Sequence, residues 1–252
     1  MRATYLFTFA TLLILANSSP KAEINGSFEP IESVTDTSAK QIVERSFDLF
    51  QSATNELLET TPDVTVRFGY EDGPLYDPTE NQIHIPYDFI TEVQHRFDKA
   101  KYQQSGVSID EATEDALLHT LFHELAHALI NIYELPVVGK EEDAADSLAT
   151  FLLIELFEDG QEIAISAADL FDLESTDRDV LEDEDFWGEH SLDEQRFFAT
   201  LCHVYGSAPD QYDNLIEVGY LSEDHTERCI EEYEQLIFSW TQLLDPYLKN
   251  TD

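Results

Sequence analysis

Two consecutive segments decide the fold: 111–133 reads EATEDALLHTLFHELAHALINIY, and 141–158 reads EEDAADSLATFLLIELFE. Both predict helices, because their apolar residues recur at steps of three and four. Pro136 and Gly139 lie between the segments and predict a short loop. Helices joined by a short connection usually pack as antiparallel neighbours. We therefore expect the last turns of the first helix to face the first turn of the second.

The first helix contains His123-Glu124-Leu125-Ala126-His127, the H-E-x-x-H pattern. Residues four apart share a helix face, so the two imidazoles can bind one metal ion. Glu124 can then reach a water on that metal without being a ligand. The pattern arises by chance in roughly 3 of 100 chains of this composition, so its surroundings matter. The helix is strongly apolar, which predicts partly buried histidines that need partners. The alternative is that both only form hydrogen bonds in the core.

A third ligand must come from another element, because catalytic zinc keeps three protein ligands and one open position. Glu142 and Asp146 share one face at the start of the second helix. We predict that Glu142 is the third ligand and that Asp146 accepts a hydrogen bond from a ligand histidine. Glu141 and Asp143 are the alternative ligands, and these acids also complement the helix dipole. The predicted cofactor is one Zn²⁺ ion.

The pair H-E-L-A-H and E-D-A-A-D resembles the motifs of gluzincin metallopeptidases, whose second motif is E-x-x-x-D. Most of the chain also resembles a family of uncharacterised bacterial proteins assigned to the metallopeptidases. Its further marks are Tyr87, residues 189–193, Cys202 with Tyr205 and Gly206, and Cys229 before Trp240. The resemblance implies a zincin-like fold, a zinc site and the hydrolysis of a peptide or protein substrate. It leaves the cleavage specificity open.

The mechanism implied by this resemblance is metal-assisted hydrolysis with Glu124 as general base. His190 is the first candidate for a catalytic donor to the oxyanion, followed by Tyr205, His203 and Arg196. The strand at residues 82–85 could be a sheet edge that pairs with an extended peptide. Two other functions remain open: a protein with a structural zinc site, and a zinc hydrolase of a non-peptide amide or ester.

The rest of the chain predicts an α+β protein, mainly helical, with a small sheet packed on the active-site helix. His119 shares the face of the metal histidines, and we expect it to be solvated or to lie behind the ligands. Gly160 is predicted to end the second active-site helix, and 177–185 to form a mobile acidic loop. The other predicted elements are helices near 38–59, 87–100, 191–205, after Pro209 and 222–244, with strands at 64–70 and 82–85.

The composition is acidic, with 53 Asp and Glu against 13 Lys and Arg and a formal charge of −40. Such a chain repels nucleic acid and anionic membrane surfaces, so both are poor partners. Two explanations of the acidity remain open: a solvated surface suited to salt, and dedicated cation binding. Nothing in the sequence indicates the oligomeric state.

The first 18 residues predict a signal peptide, because Arg2 precedes an apolar run too short to remain in a bilayer. Cleavage is expected after Ser18, with a cut after Ala22 as the alternative. Residues 19–36 are then a flexible leader and 37–252 a single domain, secreted or periplasmic and free of the membrane. Export favours a disulfide between Cys202 and Cys229, the alternative being two buried free thiols.

Overall fold

The computed structural model describes residues 24–30, 36–59, 64–178 and 180–249. Helices dominate and surround one small mixed sheet, which confirms the predicted α+β class. The helices are α1 (Asp36–Leu57), α2 (Tyr87–Ala100), α3 (Ile109–Ile132), α4 (Glu141–Leu156), α5 (Gly160–Ser175), α6 (Asp183–Trp187), α7 (Asp193–Ser207), α8 (Asn214–Glu217) and α9 (Glu223–Leu244). The strands are β1 (Ile24–Phe28), β2 (Val64–Phe68), β3 (Leu75–Asp77) and β4 (Gln82–Ile85). The predicted signal peptide lies outside the described residues.

Helix α3 runs through the main core. Its N-terminus is fixed by a capping box, in which Ser108 accepts from the Glu111 amide and Glu111 accepts from the Ser108 amide. The helix packs against α1, α2, α4, α5 and two strands, so nearly all of its middle turns are buried. The polar side chains His119, His123 and Glu124 are therefore buried within an otherwise apolar part of this helix.

The predicted flexible leader is wrong for residues 24–28, because they form β1 and pair in parallel with β2. Ile24 is fully buried, and the Phe28 ring stacks on Phe68 with 5.0 Å between centroids. Gly26 lies where a Cβ would come within 2.5 Å of the Phe47 ring. The strand was missed because a glycine and two polar residues mask its alternation, while the backbone pairing that stabilises it is not visible in the sequence.

The sheet order is β1-β2-β4-β3, with β3 antiparallel to β4 and the other pairs parallel. The prediction that residues 82–85 form a sheet edge is therefore wrong, since β4 lies between β2 and β3. The edge on that side is β3. Asn131 of α3 donates a hydrogen bond to the Tyr76 hydroxyl at 3.2 Å, so β3 is held against the helix that carries H-E-x-x-H.

Gly160 begins α5, so the prediction that it ends a helix is wrong. A Cβ at Gly160 would overlap the carbonyl oxygen of Leu153, so the glycine permits close contact between α4 and α5. The predicted acidic loop overlaps the start of α6. Ion pairs of Arg96 with Asp177 and of Arg178 with Glu194, both at 2.7 Å, connect it to neighbouring elements.

Helices α7 and α9 are joined by the predicted disulfide between Cys202 and Cys229, whose Cα atoms are 4.9 Å apart. Both cysteines are buried. The indole nitrogen of Trp240 donates to the Ser147 hydroxyl at 3.1 Å and so ties α9 to α4. Among the described residues, no helix is both long enough and apolar enough to span a bilayer.

Candidate metal centre

Helices α3 and α4 pack antiparallel, as predicted. His127 contacts Glu141, and His123, one turn earlier in α3, contacts Asp146, one turn later in α4. Lys140 precedes α4, and Ala144 and Ala145 in its first turns are small. The carboxylates of this first turn therefore lie directly opposite the two histidines.

Three potential ligand atoms converge on one point between the helices. His123 Nε2 lies 3.1 Å from His127 Nε2 and 3.1 Å from Glu142 Oε2, and His127 Nε2 lies 3.3 Å from Glu142 Oε2. Ligands bound to tetrahedral zinc at 2.0–2.1 Å lie about 3.3 Å from one another. The three distances therefore match one face of a zinc coordination tetrahedron.

The hydrogen bonds on the far side of each ring determine which nitrogen faces this point. His123 Nδ1 lies 2.7 Å from Asp146 Oδ1, and His127 Nδ1 lies 2.8 Å from Glu141 Oε1. A carboxylate accepts, so each neutral ring donates from Nδ1 and keeps a lone pair on Nε2. Two lone pairs and a carboxylate oxygen then face one another, an arrangement that requires a cation. The residues present fit a divalent metal ion.

The charges of these groups agree with a site that attracts cations. Burial disfavours the charged form of His123, but its hydrogen bonds to Asp146 and Glu142 prevail and raise its pKa to about 9. Burial opposes ionisation of Glu142 too, yet hydrogen bonds to three histidines hold the pKa of its carboxyl far below the usual range. A proton can thus take the place of the cation when no metal is bound.

Glu124 is buried and lines the same cleft as the two histidines. Burial raises the pKa of its carboxyl, with the nearby histidines opposing that rise. The cleft has a volume of about 420 Å³; residues 74–76 at β3 form one wall, and Glu189 with His190 form another. A carboxylate beside a metal site and open to a cleft is suited to accept a proton from water.

His190 lies at the site, on the segment between α6 and α7. Its Nε2 is 2.9 Å from Glu142 Oε2, and its ring is nearly parallel to that of His123 at 6.3 Å between centroids. Its backbone carbonyl accepts from Lys140 Nζ at 2.9 Å. His123, His190 and Glu142 offer ligand atoms that all lie within 4.8 Å of one another. The side chain is 54% exposed, so it can contact either an ion between the helices or a molecule in the cleft.

The other candidate donors lie elsewhere. Arg196 binds Asp146, Tyr205 is buried in the core, and His203 lines a cavity between α4 and α7. His119 is buried, which excludes the first of the two expectations for it, a solvated side chain, and leaves the second, a position behind the ligands. Burial lowers the pKa of His119 to about 3, and its Nε2 has no hydrogen-bond partner among the described residues.

The two alternative third ligands, Glu141 and Asp143, contact other groups than the two Nε2 atoms. Glu141 accepts from the Nδ1 side of His127, and Asp143 lines a cavity shared with α7. A second group of metal-type residues comprises Cys202, Cys229 and His225. Its two sulfurs form the disulfide, so they offer no thiolate to a metal.

Sequence reasoning missed the partner of Asp146. Arg196 donates to both carboxylate oxygens, with Nε 2.7 Å from Oδ2 and Nη2 2.8 Å from Oδ1. Burial opposes ionisation of Asp146, but the hydrogen bonds from Arg196 and His123 keep the pKa of its carboxyl far below the usual range. The two residues are 50 positions apart, and no local pattern connects them.

Two histidines on one helix, a glutamate on its neighbour and a buried Glu124 beside an open cleft together define a candidate metal centre of the H-E-x-x-H class. A sequence model of a protein family described as "Putative metallopeptidase" matches residues 28–244. The chain belongs to this family, which confirms the resemblance to a family of uncharacterised proteins assigned to the metallopeptidases. No curated protein and no solved structure gives a significant match.

Proposed function

We propose that this protein is an exported zinc peptidase in which His123, His127 and Glu142 bind the metal and Glu124 is the general base. The observation that carries the proposal is the convergence of three ligand atoms, at 3.1–3.3 Å from one another, beside Glu124 in an open cleft. Membership of a metallopeptidase family supports it independently. The disulfide supports export, because such bonds persist in oxidising compartments.

Zinc at this site would supply a Lewis acid that lowers the pKa of water and polarises the scissile carbonyl. The Glu124 carboxylate accepts the proton of the attacking water and delivers it to the leaving amine nitrogen. His190 Nε2 donates a hydrogen bond to the carbonyl oxygen as negative charge develops there. Asp146 and Glu141 hold the two ligand rings by their Nδ1 atoms.

The position of β3 supports an extended peptide as the substrate. Leu75 and Tyr76 line the cleft, and β3 is the sheet edge on that side. An edge strand offers unpaired backbone groups to an added strand. A peptide paired with β3 would run past Glu124, so its scissile bond could reach the metal centre.

A non-catalytic zinc protein is the second candidate, and the position of His190 favours it. With Nε2 2.9 Å from Glu142 Oε2, His190 could be a fourth ligand. Four protein ligands are typical of structural zinc sites, which are closed to water. In that case Glu124 would be dispensable.

The test compares the wild type with Glu124→Gln, after zinc content has been measured by elemental analysis. We expect the variant to keep zinc and to lose hydrolysis of denatured protein and of a peptide library by about 10²- to 10⁴-fold. Glu114→Gln is the matched control, since Glu114 lies on the same helix but pairs with Arg45. Zinc-loaded wild type without chelator-sensitive hydrolysis of any peptide would instead support the non-catalytic protein.

A further inference from the structure

Behind the candidate metal centre lies a buried ion pair whose arginine has no part in the proposed mechanism. The guanidinium of Arg196 on α7 forms two hydrogen bonds to Asp146 on α4, at 2.7 and 2.8 Å. Both side chains are mostly buried, and the guanidinium carbon lies 3.9 Å from the centroid of the Phe171 ring on α5. The two hydrogen bonds and the ring contact fix the guanidinium in one orientation.

Asp146 is held between this guanidinium and a candidate ligand. Its Oδ1 atom accepts from Arg196 Nη2 at 2.8 Å and lies 2.7 Å from His123 Nδ1, while Oδ2 accepts from Arg196 Nε. The planar fork of arginine sets the plane of a carboxylate that it binds through two donors. Without Arg196 the carboxylate could rotate away from His123, and it would be a buried charge that has lost its two-donor partner.

We propose that Arg196 is a positioning residue of the metal site: it orients Asp146 so that this carboxylate holds His123 with Nε2 toward the metal. The inference rests on the metal site of the proposed function. Outer partners of ligand histidines typically change metal affinity by about 10- to 100-fold when they are removed. Arg196 does not contact the ligand histidine itself. It acts through Asp146, whose carboxylate it orients and whose negative charge it balances.

A cavity of about 300 Å³ lies beside the ion pair and makes a sharper test possible. Arg196 and Asp146 line it together with polar side chains of α4 and α7. One of these, Thr150, is buried with a hydroxyl that has no hydrogen-bond partner among the described residues. Truncation of Arg196 would enlarge this polar space to admit a free guanidinium ion next to Asp146.

The experiment measures zinc affinity of the full chain by competition with a chromophoric chelator, for wild type, Arg196→Ala and Arg196→Lys. We expect Arg196→Ala to weaken zinc binding by about 10- to 100-fold and Arg196→Lys to weaken it less, because lysine restores the charge without the fork. Millimolar guanidinium chloride should restore zinc affinity to Arg196→Ala, where the truncated side chain leaves space for the ion, and not to Arg196→Lys. The visible spectrum of bound cobalt should change in the variant and return with guanidinium.

Arg96→Ala is the matched control, because Arg96 also forms ion pairs with acids, namely Glu92, Glu174 and Asp177, but contacts no candidate ligand. Near-ultraviolet circular dichroism of the metal-free chains checks that each variant is folded. If Arg196→Ala does not fold, Arg196→Lys decides alone. Wild-type zinc affinity in folded Arg196→Ala, or a loss in that variant that guanidinium does not reverse, overturns the inference, and so does wild-type affinity of Arg196→Lys where only that variant folds. Wild type that binds no zinc refutes the proposed function itself.

Discussion

His127 and Glu141 are joined by a 2.8 Å contact between Nδ1 and Oε1, so the residue before the candidate ligand Glu142 supports the second histidine. Asp146 supports the first histidine in the same way. Two neighbouring glutamates in the first turn of α4 thus make different contacts with the histidines. Glu142 faces both Nε2 atoms, whereas Glu141 lies on the outer side of the ring.

This division predicts unequal effects of two matched substitutions. Glu142→Ala should weaken zinc binding by more than about 100-fold, and Glu141→Ala by about 10-fold, because only the first removes a ligand. Chelator competition on the purified variants measures both. Equal losses, or a larger loss for Glu141→Ala, would mean that the assignment of the third ligand is incorrect.

Substitution of His190 separates a donor from a fourth ligand. His190→Ala should reduce kcat by about 10²- to 10³-fold, with zinc affinity nearly unchanged, because the lost hydrogen bond forms to a developing oxyanion. Steady-state kinetics and chelator competition give the two quantities. Weaker zinc binding together with retained or increased hydrolysis would show that His190 closes the coordination sphere.

Removal of the disulfide should destabilise the fold without changing the metal centre. The bond closes a loop across 27 positions, and the chain-entropy model gives about 3 to 4 kcal/mol for a loop of that size. Urea unfolding of a Cys202→Ala/Cys229→Ala variant measures this change in free energy. Zinc affinity of the folded variant should equal that of the wild type, since α7 and α9 are still packed together in it.

A partly buried acid on α3, Asp115, predicts how stability depends on pH. Burial raises the pKa of Asp115 from 3.8 to about 7, so the folded chain keeps a proton there that the unfolded chain loses. Its contribution is fully present below pH 4 and is lost as the pH rises to about 7, by up to about 4 kcal/mol.

Asp115→Asn should therefore resemble the wild type in stability at pH 4 and exceed it at pH 8. Chemical denaturation at both pH values measures the difference, and Asp98→Asn, on the exposed side of α2, controls for the loss of a charge. A variant that is less stable than the wild type at pH 8 would contradict the predicted direction.

The helices were predictable because their signals are local. The apolar periodicity, the turn residues between α3 and α4 and the spacing of His123 and His127 all lie within short windows. The first-turn acids of α4 could be placed near the histidines because a short loop restricts how two helices pack. This is why Glu142 and Asp146 could be assigned to the centre from the sequence.

The missed features depend on contacts between distant segments. Strand β1 is defined by pairing with β2, 40 residues later, and β3 is too short to show alternation. Helix α5 was missed because Gly160 was interpreted as a helix end, although it permits a close helix contact. Arg196 reaches Asp146 through the packing of α7 on α4, which no spacing rule predicts.

The hydrogen bond from Lys140 to the His190 carbonyl connects the turn before α4 to the segment that carries His190. Residues 133–140 determine the position of Glu142, and Lys140 also binds the segment of Glu189 and His190 that lines the cleft. Lengthening or shortening this turn would therefore shift the coordination geometry and the cleft width together. If the proposed function holds, attempts to redesign the substrate range should leave this turn unchanged and alter β3, where the cleft can be reshaped independently of the candidate ligands.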